Sequence, residues 1–259
     1  MKMLILQFLI LGLATAAFAD DLQNFSITTN QAAVTEQKLK DYENGRLNLE
    51  DFGENVTNAE WQQLIGYYLL HTNDISTKAK LPVARCYAQF QMIPQAMKLG
   101  EEYANVYSND WRAWRLLGYC YEVMNYTNEA IRAYSNAARL GHKLSYEQLA
   151  GFAIKSGQLN VVGDIVPQLL ALKEAKEIPE EDKFSLITIL LAYSMKTDQK
   201  EIFIKTLEGT DMGKILRDGR IRQDVTLGCR IFEGKDIDKI RQEMESVTSS
   251  TNSVSSPPR

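Results

Sequence analysis

Residues 111–144 read WRAWRLLGYCYEVMNYTNEAIRAYSNAARLGHKL. Trp114, Leu117, Gly118 and Tyr121 fall at helical intervals, and beyond Asn125 so do Ala130, Tyr134 and Ala137. Two antiparallel helices explain these offsets. The small residues Gly118 and Ala130 let the helices approach closely, while Trp114, Leu117, Tyr121 and Tyr134 fill the seam. Asn125 falls where the first helix ends, and Asn tolerates the left-handed conformation needed at such a stop.

A shift of 34 residues lays this hairpin on the one before it, pairing Val83 with Leu117, Ala84 with Gly118, Cys86 with Cys120, Tyr87 with Tyr121, Ala96 with Ala130 and Met97 with Ile131. The first full unit therefore spans 77–110 and the second 111–144. Pro82 and Pro94 suit first turns of helices and mark starts, not breaks. The pattern continues with less clarity. Leu149, Ala150, Gly157, Val162 and Leu169 fit a third unit from near Lys143, with Pro167 inside its second helix. After a charged connection over 173–182, Ile189, Leu190, Tyr193 and Ile202 suggest a fourth unit from near Lys183. A closing pair from about Ile221 carries Leu227, Gly228 and Ile231, a polar turn at 233–236, then Ile237, Ile240, Met244 and Val247, with a charged outer face suited to capping a stack.

Upstream, Thr57 and Glu60 form a capping box for a helix with Trp61, Leu64, Ile65 and Tyr68 at helical spacing. Residues 20–57 read as a partly helical extension: a helix over 31–44 with a narrow apolar face (Ala33, Val34, Leu39, Tyr42), then a loop over 45–58. Residues 58–247 form the helical repeat domain, and 248–259, nearly all Ser, Thr, Asn and Pro, read as a flexible tail. Strand signals are nearly absent, which makes the fold class all-α.

The order Trp114, Leu117, Gly118, Tyr121, then Ala130, Tyr134 and Ala137, resembles the tetratricopeptide repeat, with His142 where that family usually has Pro. The resemblance is specific over 77–144 and degraded over about a hundred further residues. It implies a right-handed α-solenoid of stacked helix-turn-helix hairpins, four to five in number, whose function is protein–protein interaction. By the same resemblance, the first helix of each unit lines a concave groove. The implied positions are Lys78, Leu81, Arg85, Ala88 and Gln89 in one unit and Arg112, Arg115, Tyr119, Glu122 and Val123 in the next. Arg85, Arg112, Arg115, Tyr119 and Glu122 are the expected partner-binding residues: Arg offers a bidentate fork for carboxylates and Tyr a rigid contact surface. The opposing possibility is that these arginines pair with Glu122, Asp110 or Glu102 and do nothing more. Lys and Asn of the family's carboxylate clamp are replaced here by Leu81, Arg85 and Tyr119, so that mode of recognition is not expected. Trp114 occupies a core position of the family, and Trp111 is less constrained.

The chain opens with Lys2, an apolar run over 3–17 and Ala17-Phe18-Ala19 ahead of Asp20, the pattern of a secretory signal peptide cleaved after Ala19. The run of about 15 residues is short of the roughly 20 that span a bilayer. The expectation is a periplasmic or secreted protein of the cell envelope without stable membrane insertion. Removal of Lys2 takes the formal charge from -4 to -5, which argues against nucleic acid as a partner. Cys86, Cys120 and Cys229 are odd in number, so a disulfide framework is not expected; Cys86 and Cys120 read as small buried hydrophobes. Asn24, Asn55 and Asn125 head short glycosylation sequons of little specificity.

Catalytic constellations are sparse. His71 and His142 are the two histidines, with no zinc spacing, and nucleophile and nucleotide motifs are missing, so neither a metal nor a cofactor is expected. Glu101, Glu102, Glu180, Glu181 and Asp182 read as solvated helix faces or first-turn charges. The sequence thus points to a non-enzymatic scaffold that holds a protein or peptide partner. The alternatives are an envelope glycan-acting enzyme with paired carboxylates, or a structural spacer docking through its end repeats. Composition leaves the oligomeric state open.

Overall fold

The computed structural model describes residues 29–47 and 58–253, and over them all regular structure is α-helical, in thirteen helices. The signal sequence expected at 1–19, the sequons at Asn24 and Asn55, the capping residue Thr57 and residues 254–259 lie outside the described residues. The described chain falls into two compact units, one ending at Gly141 and one beginning at His142.

The first unit holds α1 (Thr29–Glu43), α2 (Asn58–Leu70), α3 (Lys80–Gln89), α4 (Ile93–Val106), α5 (Trp111–Val123) and α6 (Thr127–Arg139). Each helix packs on the next in sequence, and α3 also meets α5, so the first helices of the two 34-residue hairpins are neighbours. The turns explain why these are hairpins. Asn125 has φ 60°, and Gln91, its counterpart 34 positions earlier, has φ 59°. Each left-handed residue reverses the chain so that the following amide reaches back to the helix: Met92 N–H donates to the Tyr87 carbonyl (2.9 Å) and Tyr126 N–H to the Tyr121 carbonyl (2.8 Å). The same closure recurs in the second unit at Gly157 (φ 78°) and Asp198 (φ 55°), through Gln158 N–H to Ala153 (2.8 Å) and Gln199 N–H to Ser194 (2.9 Å).

The seam between α5 and α6 is as close as its small residues predict. A Cβ on Gly118 would lie 2.6 Å from the ring carbons Cδ1 and Cε1 of Tyr134, and Ala130 is fully buried. Cys86 and Cys120 are free and buried, as expected of small core residues. The Cys86 thiol donates to the Trp61 carbonyl at 3.1 Å, and burial pushes the Cys120 thiol up to about 12.

The second unit contains α7 (Ser145–Lys155), α8 (Leu159–Glu174), α9 (Glu180–Lys196), α10 (Lys200–Leu207), α11 (Met212–Ile215), α12 (Gly219–Ile231) and α13 (Lys235–Ser253). Helix α8 passes through Pro167. Helix α9 packs on α7, α8, α10 and α12, and α13 closes on α11 and α12.

Three readings of the sequence are corrected. Helix α1 leaves Ala33 and Val34 exposed and buries Thr35, Leu39 and Tyr42, a face three and four residues apart that includes a threonine and so escapes an apolar count. Helix α12 leaves Leu227 and Ile231 exposed (48% and 45%) and buries Ile221, Val225, Gly228 and Cys229. The helix is rolled by about one residue because Gly228 lies directly on the Phe203 ring, where a Cβ would come within 2.0 Å. Finally, α13 runs to Ser253, into the stretch read as tail from 248. Ser, Thr and Asn are only modestly poorer helix formers than the residues before them, so a helix already nucleated continues through them.

Candidate functional site

Asp110 opens the expected site by capping α5: its carboxylate accepts the Arg112 amide at 3.0 Å. From that start Arg112, Arg115, Tyr119 and Glu122 follow at intervals of three or four and share one helix face. The structure gives them different work. The Arg112 guanidinium folds back on Asp110 in a two-pronged pair, Nε to Oδ1 at 2.8 Å and Nη2 to Oδ2 at 2.9 Å. Tyr103 donates to the same carboxylate at 2.8 Å, and Tyr42 of α1 is buried in the same apolar core as Tyr103. Burial pushes the Asp110 carboxyl up, but the Arg112 and Tyr103 donors outweigh it and hold the group below the usual aspartate range. Arg112 thus makes one of the pairings that the sequence left open as the opposing possibility, and braces the start of α5.

Glu122 accepts the Tyr134 hydroxyl at 2.8 Å. Burial, and then the Glu122 charge, push the Tyr134 phenol well up, and Arg115 opposes them through its positive charge. Arg115 itself is exposed. The Tyr119 hydroxyl accepts from Gln91 Nε2 at 3.0 Å, tying α5 to the turn of the preceding hairpin. On α3, Arg85 is half-buried and Gln89 exposed, whereas Leu81 and Ala88 are buried. Lys78 donates to the Glu43 carbonyl at the end of α1. Of the ten implied groove positions, Arg85, Gln89, Arg115, Tyr119, Glu122 and Val123 retain exposed surface without serving as a brace or a tether to α1.

Trp61 is buried, and Trp114 packs against the core with its indole N–H on the Ser108 carbonyl at 2.8 Å. Trp111 is half-buried. His71 stacks on Tyr67 at 4.4 Å, and His142 Nδ1 lies 2.8 Å from the Ser145 hydroxyl. Among the described residues no group of three or more His, Cys, Asp or Glu side chains is placed to hold a metal, and no helix is long and apolar enough to cross a membrane.

No protein-family model matches the chain, and no curated protein matches it significantly. The site must be read from its own geometry.

The second unit holds a feature that sequence reasoning missed. A cavity of about 330 Å³ opens between the end of α8, the start of α9 and the 209–215 segment, lined in part by Lys173, Lys183, Phe184, Thr210 and Lys214. Its floor is Lys173, whose side chain is only 4% exposed. The ammonium donates to the carbonyls of Lys205 (3.1 Å), Thr206 (3.1 Å) and Glu208 (2.8 Å) and pairs with Glu174 at 2.7 Å. Those carbonyls end α10 and lack helical partners, so the lysine serves as their cap. At the rim Glu180 pairs with Lys214 at 2.7 Å, and Lys214 lies over the Phe184 ring at 5.9 Å. Every cation of this cavity is thus engaged with a neighbour. The charged run over 173–182 was visible in sequence, but a lysine among charges gives no sign that it turns inward.

Proposed function

We propose that this chain is a non-enzymatic protein–protein interaction scaffold, a right-handed solenoid of tetratricopeptide-like hairpins that holds a peptide or partner protein on the face shared by α3 and α5. The observation that carries the reading is the contact between α3 and α5, the first helices of two hairpins with identical 34-residue spacing and identical turns. Two side-by-side helices give a partner a continuous rigid surface, and Arg85, Arg115 and Tyr119 supply charged and aromatic anchors on it. Export by the leader over 1–19 to the cell envelope is part of the proposal. A photo-crosslinking amino acid at position 115 or 119 tests it in cells. The expected result is one reproducible partner whose yield falls when Arg85 and Tyr119 are replaced by alanine; crosslinks to no partner at either position would sink it.

A second reading, a spacer that docks through its last hairpin, is favoured by Leu227 and Ile231, which stand exposed one turn apart on α12. Crosslinks at position 227 in place of 115 and 119 would select it.

A further inference from the structure

The turns that join α3 to α4, α5 to α6, α7 to α8 and α9 to α10 are each closed by a residue in the left-handed region. Asn125 (φ 60°), Gly157 (φ 78°) and Asp198 (φ 55°) are of the types that accept it most readily, glycine for want of a Cβ and the other two through their short polar side chains. Gln91 holds the same conformation, φ 59°, with neither advantage. The first of these turns thus keeps a residue that its backbone does not favour.

The side chain of Gln91 supplies the reason. From an exposed position it reaches the next hairpin, where its Nε2 donates to the Tyr119 hydroxyl at 3.0 Å. Glycine has no amide to give, and asparagine stops one methylene short. A phenol that accepts this bond keeps its own proton to give. Tyr119 follows Arg115 by four residues on α5, and helical side chains lean toward the N-terminus, which carries the phenol toward the arginine. Arg115 is exposed, and Arg85 on the neighbouring α3 is half-buried. Glu122, the carboxylate of this face, takes the Tyr134 hydroxyl at 2.8 Å. Guanidinium and phenol donors side by side are the complement of a carboxylate. The chain as a whole carries a net charge of -4, so a preference for acidic segments would be local to this face and not general.

We propose that Gln91 is a positioning residue of the binding face: it holds the Tyr119 hydroxyl as a donor beside Arg115, and the partner is selected by a glutamate or aspartate side chain that accepts from both. The inference rests on the reading of α3 and α5 as a binding face and adds the chemistry of what binds there.

The test uses the full chain and two fluorescein-labelled octapeptides, one alternating glycine with glutamate and the other glycine with glutamine, by anisotropy at low salt. The glutamate peptide should bind roughly tenfold more tightly or better, as expected of hydrogen bonds to a charged group. Tyr119→Phe and Gln91→Gly should each weaken it about fivefold, and the two together no more than either alone, since both remove one interaction. Gln91→Gly should at the same time raise the urea midpoint of the first unit by relieving the left-handed turn. Binding that falls while stability rises is a split that a merely structural glutamine does not give. Asn125→Gly, the same change at the next turn, should leave binding as it was. Equal affinity for the two peptides, or additive losses in the double variant, would overturn the proposal. Unchanged affinity in Gln91→Gly alongside loss in Arg115→Ala would also overturn it while leaving the scaffold reading in place, whereas that reading is sunk by the absence of crosslinks at 115 and 119, whatever the peptides do.

Discussion

Replacing Gly118 by alanine sets two known effects against each other. Alanine gains about 1 kcal/mol over glycine within a helix. Its methyl, however, would stand 2.6 Å from two ring carbons of Tyr134, about 1 Å inside the 3.5–4.0 Å at which carbon atoms attract. The ring has little room to retreat: Tyr134 is 3% exposed, and its hydroxyl is anchored on Glu122 at 2.8 Å. Overpacking of this kind costs about 1–3 kcal/mol, so the clash wins and Gly118→Ala should destabilise the first unit by about 1–2 kcal/mol. Gly100 is the control. A Cβ there meets the Leu117 Cδ2 tip at 3.0 Å, a flexible group, and Gly100→Ala should change stability by less than about 0.5 kcal/mol. All three tryptophans, Trp61, Trp111 and Trp114, lie before Gly141. Urea unfolding followed by their fluorescence therefore reports the first unit alone. A rise in midpoint for Gly118→Ala, by the full helix-propensity gain, would refute the reasoning.

Three further outcomes are expected. Asp110→Ala removes a helix cap and strands Arg112, and should cost about 2 kcal/mol at pH 7 by the same fluorescence assay. Because the folded pKa of Asp110 lies below its unfolded value, that contribution is complete above the ordinary aspartate value near 4 and drains away as pH falls through the folded value, so the gap to wild type should narrow in acid. Lys173→Ala leaves the last carbonyls of α10 without their cap and should cost the second unit about 2–3 kcal/mol, read as lost exchange protection over 200–216, with the tryptophan signal unmoved. Asp198→Gly relieves a left-handed aspartate at φ 55° and should raise the melting temperature of the second unit in differential scanning calorimetry, by about 0.5–1 kcal/mol in stability.

The hairpins were legible because their signals are local. Gln91 and Asn125 stop their helices through backbone conformation, and Gly118 faces Tyr134 through spacing within a single turn-linked pair; each relation involves residues no more than a hairpin apart. The roll of α12 was not legible, since Leu227-Gly228 copies Leu117-Gly118 in sequence while the Phe203 ring, contributed by another helix, decides which residue turns inward. At the site, periodicity places Arg112 on the face with Arg115 and Tyr119 and puts Asp110 within its reach, but does not decide between a partner and that carboxylate; the fold does. Lys173 was missed because its partners, the carbonyls of Lys205, Thr206 and Glu208, are distant in sequence.

The burial of Tyr42 and Tyr103 in one core also sets an order of events in folding. Helical hairpins join residues close along the chain and form quickly, whereas this packing joins residues roughly sixty apart and brings its reward only after α4 exists to receive it. Seating of the first helix should therefore be the late step of refolding.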